Sequence, residues 1–181
     1  HIGHEMLGKN IGIVGYGNVG KNIANISKAY GMNVAVFSNS LDDDEAKKSN
    51  IIKMVFEELI KEADILTFHN KLSEKSKYMI NSDNLKSMKK SAIIINCARG
   101  GIVNEEAIKN SLIAGEIAGY GCDVYEEEPQ KNSIFSGMNN VVMTPHIGAG
   151  TKEAQEKVAV QIAEQLVDFL LNNNIANQVN I

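Results

Sequence analysis

A short glycine-rich turn constrains the fold of this chain more than any other feature of the sequence. An apolar run, Ile11 to Val14, leads into Gly15-Tyr16-Gly17-Asn18-Val19-Gly20, and apolar or small residues then recur at helical spacing from Ile23 to Ala29. A GxGxxG pattern alone is a weak signal, but a strand before it and a helix after it make it specific. Strand, turn and helix together predict the first unit of an open parallel sheet.

The three glycines of this turn have separate expected roles. Gly15 permits the tight turn, Gly17 lets a pyrophosphate approach the backbone, and Gly20 lets the helix lie against the strand. The N–H groups of Asn18 and Val19 would face the phosphates, whose charge the helix dipole favours. The alternative is a glycine-rich loop with only a packing role. The flanking strand and helix favour the phosphate site.

A cation follows a second apolar strand. The run Ile93 to Asn96 continues through Cys97 and Ala98 into Arg99 and two glycines. A planar guanidinium matches a carboxylate bidentately, which suits a substrate with a carboxyl group beside the reacting carbon. The alternative is a surface ion pair between Arg99 and a helix residue such as Glu105, and this segment alone leaves it open.

A carboxylate and a histidine stand beyond two further strand patterns. The run Ile117 to Tyr125 leads into three glutamates and a proline, and Val141 to Met143 leads into Thr144-Pro145-His146 and a glycine-rich turn. A carboxylate on one ring nitrogen holds a histidine in one tautomer, so that the other nitrogen exchanges a proton near neutral pH. Glu128 and His146 could form such a pair. The two preceding glutamates, Glu126 and Glu127, are interpreted as a solvated loop.

The whole chain alternates between strand and helix patterns. Such alternation predicts an α/β fold with a doubly wound parallel sheet, in which the carboxyl ends of the strands meet at one ligand-binding edge. The 181 residues and their 44% hydrophobic content are enough for one substantial core. Besides the strands named above we predict a strand near Ile65 to Phe68. Helices are predicted near Asp43–Ser49, Phe56–Glu62, Ser82–Met88, Asn104–Ala114 and Thr151–Leu171, and the apolar stripe of the last one is expected to pack on the sheet.

Composition narrows the classes of function. A formal charge of −4 without a basic stripe gives no reason to expect nucleic acid as a partner. Cys97 and Cys122 lie in apolar strand patterns without metal-type spacing, so we expect free buried thiols, no metal site and a reducing cytoplasm. No apolar stretch is long enough to span a bilayer, so no membrane association is expected.

Taken in order, the segments GYGNVG, NCARGG, GCDVYEEEP and TPHIGAG resemble the NAD(P)-binding domain of the D-isomer-specific 2-hydroxyacid dehydrogenases, a family that includes phosphoglycerate dehydrogenase. The resemblance covers nearly the whole chain, from Leu7 to Ile181, and four motifs at family-like spacing are more specific than any one. It implies a Rossmann-type nucleotide-binding domain over residues 1–181. It also implies an oxidoreductase that uses NAD to act on a small 2-hydroxy or 2-oxo acid, as a cytoplasmic homodimer.

The resemblance also implies roles for individual residues. Arg99 would bind the carboxylate and carbonyl of the substrate, His146 would donate or accept the proton, and Glu128 would orient His146. Asp123 would face the nicotinamide ring. The residues implied at the cofactor are Gly15, Gly17, Asn18, Val19, Gly20, Ser38, Cys97, Ala98, Arg99, Asp123, His146, Gly148 and Ala149.

Two positions depart from the family pattern. Ser38 follows the second predicted strand, Asn33 to Phe37, where the family usually has an acidic residue that binds the adenosine ribose. Loss of that charge often accompanies NADP use, yet no arginine follows, and the acidic run Asp42 to Glu45 would repel a 2′-phosphate lying close to it. NAD is therefore preferred, and NADP stays open. Lys71 stands where the family usually has a proline, and the nearby His69 is interpreted as a structural loop residue.

The family's separate substrate domain is not expected within this sequence, so the identity of the acid is left open. The leading hypothesis is an oxidoreductase domain. The alternative is a non-enzymatic NAD-sensing module of the corepressor type, and the joint presence of Arg99, Glu128 and His146 favours the enzyme.

Overall fold

Seven parallel strands form one sheet in the part of the chain that the structure describes. The computed structural model describes residues 3–177, so Val179 to Ile181, the end of the family resemblance, lie outside it. The strands are β1 (Asn10–Val14), β2 (Asn33–Phe37), β3 (Ile52–Lys53), β4 (Ile65–Phe68), β5 (Ile93–Asn96), β6 (Gly119–Cys122) and β7 (Val141–Met143). Their order is β3-β2-β1-β4-β5-β6-β7, and every neighbouring pair is parallel. The predicted α/β fold with a doubly wound parallel sheet is confirmed.

Six α-helices alternate with these strands or follow them in residues 3–177. They are α1 (Asn18–Ala29), α2 (Asp43–Lys48), α3 (Phe56–Glu62), α4 (Ser82–Lys86), α5 (Glu105–Ala114) and α6 (Lys152–Asn172). The chain divides into two compact units, His1–Pro145 and His146–Ile181. The first unit holds the sheet and α1 to α5, and the second holds α6.

The strand order reverses between β1 and β4. From β1 the chain builds outward to β2 and β3, whereas β4 pairs with the other side of β1 and the later strands extend away from it. In an open parallel sheet such a reversal opens a crevice beyond the carboxyl ends of the two strands, where ligands bind. The glycine turn begins directly after β1, and therefore lies at this crevice.

Two buried clusters cover opposite faces of the sheet. Alternate residues of a strand point to opposite faces. Accordingly, Ile11 and Ile13 of β1 belong to a cluster with Ala24 of α1 and Ala46 of α2. Val14 belongs to the other cluster, to which α3, α4 and α5 contribute Leu59, Leu85 and Ile108. The helices thus pack on both faces and leave the carboxyl edge of the strands to the loops.

Most element boundaries agree with the sequence prediction, and two differ. The predicted strand Ile117 to Tyr125 is shorter, because only Gly119–Cys122 stay in the ladder. The strand β3 was not predicted, since two exposed residues, Ile52 and Lys53, are too few to show a periodic pattern. At α5 the predicted ends are confirmed: the Asn104 side chain accepts a hydrogen bond from Ala107 N, and Gly115 ends the helix at φ 68°.

The helix α6 has bounds close to those predicted. It runs over Lys152–Asn172, and the Thr151 side chain caps it by accepting a hydrogen bond from Ala154 N. Apolar residues recur along it at helical spacing, including Val158, Ile162 and Phe169, which is typical of an amphipathic helix. That this apolar stripe packs on the sheet stays a prediction.

Candidate active site

Two glycines of the turn are required because a side chain there would collide with the protein's own backbone. Gly15 has φ +96°, and a Cβ there would lie 2.8 Å from the backbone of His69 and Asn70. The Gly15 N–H donates to Phe37 O at 2.8 Å. A Cβ on Gly20 would overlap the carbonyl oxygen of Gly15. These two glycines let the end of β1 and the start of α1 approach one another, as the sequence predicted, and Gly15 also admits the loop after β4, which the sequence did not predict.

The middle glycine, Gly17, is different, because a side chain there would collide with no neighbouring atom. Gly17 has an ordinary backbone conformation, with φ −82°, and no atom lies within 4 Å of a Cβ built on it. It is the N-cap of α1 and supplies no side-chain hydrogen bond to the first turn. Asn18 and Val19 are both exposed there. The open space next to helix N–H groups fits a phosphate group, so these residues fit the predicted dinucleotide.

The end of β2 carries small hydroxyl side chains in place of a carboxylate. The Oγ atoms of Ser38 and Ser40 lie 3.0 Å apart, and Ser40 N also approaches Ser38 Oγ at 3.4 Å. Ser38 is half-buried, and it follows directly on Phe37, whose carbonyl accepts from Gly15 N. Ser38 is thereby linked to the glycine turn through the last residue of β2.

Most carboxylates of the acidic run from Asp42 to Glu45 already form a helix cap or an ion pair. Asp42 caps α2 by accepting from Glu45 N at 2.7 Å. Asp43 pairs with Lys53 at 2.9 Å, and Glu45 pairs with Lys21 at 2.6 Å. The hydrogen bond and charge of Lys53 lower the pKa of Asp43, and those of Glu45 raise the pKa of Lys21. Two lysines thus offset part of the negative charge that was expected to repel a 2′-phosphate.

The loop after β5 is held by the side chain of Asn96. The Asn96 Nδ2 group donates to Arg99 O at 2.9 Å, and its Oδ1 atom accepts from Ala98 N at 3.1 Å. Arg99 Nη1 donates to Ala98 O at 2.6 Å. The guanidinium is exposed and forms no ion pair with a carboxylate of the described residues, so the alternative pair with Glu105 is wrong.

The two cysteines have different environments. Cys122 is buried in β6, as predicted, and burial is the main reason that its pKa rises to about 11. Cys97 is exposed, so the prediction that it is a buried thiol is wrong. The reason is that β5 ends at Asn96, which leaves Cys97 in the loop. Partial burial, followed by the charge of Asp123, raises the pKa of the Cys97 thiol.

Hydrogen bonds fasten Asp123 to the neighbouring strand ends. Asp123 is buried, its N–H donates to Asn96 O at 3.1 Å, and its Oδ1 atom accepts from Thr144 Oγ1 at 2.5 Å. Thr144 N donates to Cys122 O at 2.9 Å, and Tyr125 Oη donates to Thr144 O at 2.7 Å. Sequence reasoning did not identify Asn96 and Thr144, which join the ends of β5, β6 and β7.

Glu128 lies on a segment that contacts the Arg99 loop. Its Oε1 atom accepts from Tyr125 N at 3.0 Å. A Cβ on Gly100, the residue after Arg99, would overlap the carbonyl oxygen of Tyr125. The loops that carry Arg99 and Glu128 therefore touch through their backbones, and only glycine fits at the contact.

Glu126 is an exposed loop residue, as the sequence suggested, and its side chain also forms hydrogen bonds that the sequence did not predict. Its Oε1 atom accepts from Glu105 N at 3.1 Å, and its Oε2 atom accepts from Tyr78 Oη at 3.0 Å. In return, Glu126 N donates to Glu105 Oε1 at 2.8 Å. Glu127 is exposed, as expected. The sequence did not indicate the hydrogen bonds of Glu126, because its partners lie about twenty or more residues away.

The remaining predicted residues lie in the second unit. His146 has φ 54°, a conformation uncommon outside glycine and enriched at functional sites. A turn follows in which Gly150 N donates to Ile147 O at 2.8 Å, and Gln155 Nε2 donates to Ala149 O at 3.0 Å. Gly148 belongs to this turn. The pairing of His146 with Glu128 stays a prediction.

The loop after β4 is ordered by its own side chains. His69 is half-buried with Nε2 3.0 Å from Thr67 Oγ1, and burial lowers its pKa, which supports a structural role. Ser76 Oγ donates to Lys71 O at 2.8 Å and also accepts from Ser73 N at 2.7 Å. The seryl hydroxyl thus fixes the turn at the position where the family usually has proline.

Comparison with known proteins identifies the family. The sequence model of the D-isomer specific 2-hydroxyacid dehydrogenase, NAD binding domain, matches residues 1–148. The chain belongs to this family. This NAD-binding domain is 39% identical over 181 residues to D-3-phosphoglycerate dehydrogenase of Bacillus subtilis, covering 100% of the chain and 34% of the relative. It is 40% identical over 168 residues to glyoxylate reductase of Pyrococcus furiosus, covering 93% of the chain and 50% of the relative.

Solved structures show the same architecture. A glyoxylate reductase from Paecilomyes thermophila superposes with a TM-score of 0.91 at 29% identity, over 99% of this chain and 55% of that protein. The NAD-complexed D-isomer specific 2-hydroxyacid dehydrogenase of Lactobacillus delbrueckii ssp. bulgaricus gives a TM-score of 0.85 at 30% identity, over 99% and 58%. The NAD-binding domain thus spans between a third and about three fifths of the length of these proteins.

Residues 3–177 contain neither a candidate membrane span nor a candidate metal site. No helix in this stretch is both long and apolar enough to cross a membrane. No group of three or more His, Cys, Asp or Glu side chains there is arranged to hold a metal ion.

Proposed function

We propose that this chain is the NAD-binding, proton-transferring part of an oxidoreductase that interconverts a D-2-hydroxy acid and a 2-oxo acid. The observation that carries the proposal is the open space at Gly17, where neither the backbone conformation nor a neighbour requires glycine. A glycine that serves only a ligand is expected at a pyrophosphate site. Bound there, a nicotinamide dinucleotide supplies or accepts the hydride.

Arg99 is the proposed clamp for the acid. Its guanidinium is exposed at the carboxyl edge of β5, while its backbone is held by Asn96. A planar fork binds a carboxylate through two parallel hydrogen bonds and can also polarise the adjacent carbonyl. The charge of this arginine is not offset by an ion pair within residues 3–177, which supports a role in binding an anionic substrate.

His146 and Glu128 are the proposed acid–base pair. In the direction of reduction, one ring nitrogen of His146 donates a proton to the substrate oxygen, and Glu128 holds the other. The anchoring of Glu128 to Tyr125 N supports a fixed carboxylate, and the unusual φ of His146 supports a constrained functional position.

The remaining cofactor contacts are also proposals. Asp123 would face the nicotinamide, and the backbones of Cys97, Ala98, Gly148 and Ala149 would line the dinucleotide. Hydrogen bonds from Ala98 N to Asn96 and from Arg99 Nη1 to Ala98 O support a fixed backbone at this position. We propose NAD as the cofactor used, with Ser38 at the adenosine ribose. All of residues 1–181 would serve this one binding function.

The partner and location expected from the resemblance remain proposals as well. We propose a homodimer in the cytoplasm, in line with metabolic relatives such as phosphoglycerate dehydrogenase. The comparisons give no support to the NAD-sensing alternative, because the matching relatives are named as dehydrogenases and reductases.

Turnover of the full-length protein tests the proposal. NADH oxidation is followed with glyoxylate, hydroxypyruvate and phosphohydroxypyruvate, and NAD reduction with D-3-phosphoglycerate, in line with the names of the relatives. We expect turnover with at least one of these acids and none with an analogue that lacks the carboxylate, since Arg99 would have no partner. NADH binding without turnover on any 2-oxo or 2-hydroxy acid would contradict the proposed enzyme.

A further inference from the structure

The side chains of Glu105 and Glu126 each accept a hydrogen bond from the backbone N–H of the other residue. Glu105 N donates to Glu126 Oε1 at 3.1 Å, and Glu126 N donates to Glu105 Oε1 at 2.8 Å. Tyr78 Oη adds a third hydrogen bond, to Glu126 Oε2 at 3.0 Å. The three residues come from three segments, which are the loop before α4, the start of α5 and the segment after β6. Together they form what we call the carboxylate clamp.

Two contacts in the clamp satisfy backbone N–H groups that secondary structure leaves unpaired. Glu105 is the first residue of α5, so its N–H has no partner inside the helix, and a carboxylate is favoured at that end of the helix dipole. Glu105 is only 9% exposed. Burial, together with the charge of Glu126, raises the pKa of Glu105. Burial of a carboxylate costs free energy unless the group is hydrogen-bonded, and Glu126 N supplies a hydrogen bond to Glu105.

The clamp adjoins the loops that carry the proposed catalytic groups. Gly100 contacts the carbonyl of Tyr125 so closely that no Cβ fits between them. Arg99 immediately precedes this contact. On the other side, Tyr125 N donates to Glu128 Oε1, so the Glu128 carboxylate is fixed to the same segment. Glu126 is the next residue after Tyr125, and its bonds to α5 hold that segment against the Arg99 loop.

Backbone hydrogen bonds also join the loop before α4 to the segment that leads into α5. Tyr78 N donates to Gly101 O at 2.8 Å, and Asn104 N donates to Ile80 O at 2.9 Å. The Tyr78 side chain then extends to Glu126. Backbone and side-chain bonds therefore tie all three segments into one assembly around the start of α5.

We propose that Glu105, Glu126 and Tyr78 act as positioning residues, which set the spacing between Arg99 and Glu128 for the reaction. The inference rests on the proposed function. None of the three is a catalytic residue, since each acts through the backbone of the loops it holds. Small displacements of catalytic groups are costly: a shift of about 1 Å can lower a rate about 100-fold.

Kinetics of the full-length protein test the clamp against a matched control. Glu126→Ala removes both acceptor oxygens. Glu127→Ala makes the same charge change one residue away, at an exposed side chain without a hydrogen bond or ion pair in residues 3–177. We expect Glu126→Ala to lower kcat by about 10- to 100-fold with an unchanged Kd for NADH, because the phosphate site is not involved. Glu127→Ala should keep the parent kcat.

A partial rescue separates positioning from general damage. Glu126→Gln keeps one acceptor oxygen and should give a kcat between those of Glu127→Ala and Glu126→Ala. If Glu126→Ala does not fold, Tyr78→Phe replaces it, since it removes one donor and keeps both backbone contacts. That variant should lower kcat several-fold.

The outcomes distinguish the clamp from the proposed function. An active parent whose folded Glu126→Ala variant has the kcat of Glu127→Ala would overturn the clamp alone, as would a Tyr78→Phe variant with the parent kcat where the alanine variant does not fold. An inactive parent would overturn the proposed function, and the positioning role with it.

Discussion

The turn after β1 and the edge formed by β5, β6 and β7 build their parts of the site in different ways. In the turn, glycines make the structure possible, because Gly15 and Gly20 permit close backbone contacts and Gly17 leaves open space. At the carboxyl ends of β5, β6 and β7, polar side chains hold the backbone in place. Asn96 fixes the Arg99 loop, and Thr144 bonds Asp123 from the end of the next strand.

The difference shows which sites a sequence reveals. The glycine turn is a local motif, because its three glycines fall within six residues, although Gly15 also meets the distant backbone of His69 and Asn70. The edge formed by β5, β6 and β7 depends on hydrogen bonds between residues about twenty positions apart, such as Thr144 with Asp123 and Glu105 with Glu126. This edge carries the proposed catalytic groups, so substitutions there should affect turnover. Substitutions at the turn should affect cofactor binding.

The largest expected effect is at His146. His146→Gln in the full-length protein should lower kcat by about 10²–10⁴-fold, because a positioned acid–base group contributes a factor of this order. The Kd for NADH should change little. His69→Gln is the control, since that histidine contacts Thr67 and has a structural interpretation. A His146→Gln variant with the parent rate, under conditions where chemistry is rate-limiting, would show that His146 has no such role.

A smaller effect is expected at the end of β2. Ser38→Asp should strengthen NAD binding relative to NADP by about tenfold, because one hydrogen bond to a charged group contributes roughly 1.5–3 kcal/mol. The added charge also opposes a 2′-phosphate. Ser40→Asp adds the same charge at an exposed neighbour and serves as the control. Equal changes for both cofactors, measured by calorimetry, would rule out the placement of Ser38 at the ribose.

The smallest effect concerns the exposed thiol of Cys97. Its pKa is raised, so little thiolate exists at neutral pH, and alkylation by iodoacetamide should still accelerate as the pH rises beyond the ordinary range of a thiol. Saturating NADH should slow the reaction several-fold if Cys97 lines the cofactor. Mass spectrometry locates the label, and the buried Cys122 is an internal control. An alkylation rate that NADH does not change would remove Cys97 from the site.

The fold was largely predictable because its signals are local. Apolar runs and helical spacing predicted Ile65–Phe68 and Phe56–Glu62 at the observed bounds, and the capping residue Asn104 marked the start of α5. The errors arise where the apolar pattern does not mark the end of an element. The apolar run of β5 did not show that Cys97 lies one residue beyond the end of the strand.

The candidate site was predictable in its side chains but not in their support. Arg99 and Glu128 were recognised as groups able to do chemistry at strand ends. Asn96 and Glu126, which hold them or their neighbours, were not, because an amide in a strand and a glutamate in an acidic run have no distinctive local signal. Their partners become visible only when the strands are placed side by side.

The central claim is that Gly17 leaves open a phosphate site at the start of α1, and calorimetric titration with NADH tests it most directly. Gly17→Val should weaken binding by about 100-fold or more, because two hydrogen bonds to charged phosphate oxygens, each worth roughly 1.5–3 kcal/mol, would be blocked. Gly3→Val, at another glycine with no atom within 4 Å of an added Cβ, is the control and should bind like the parent. A folded Gly17→Val variant with the parent Kd would contradict the account.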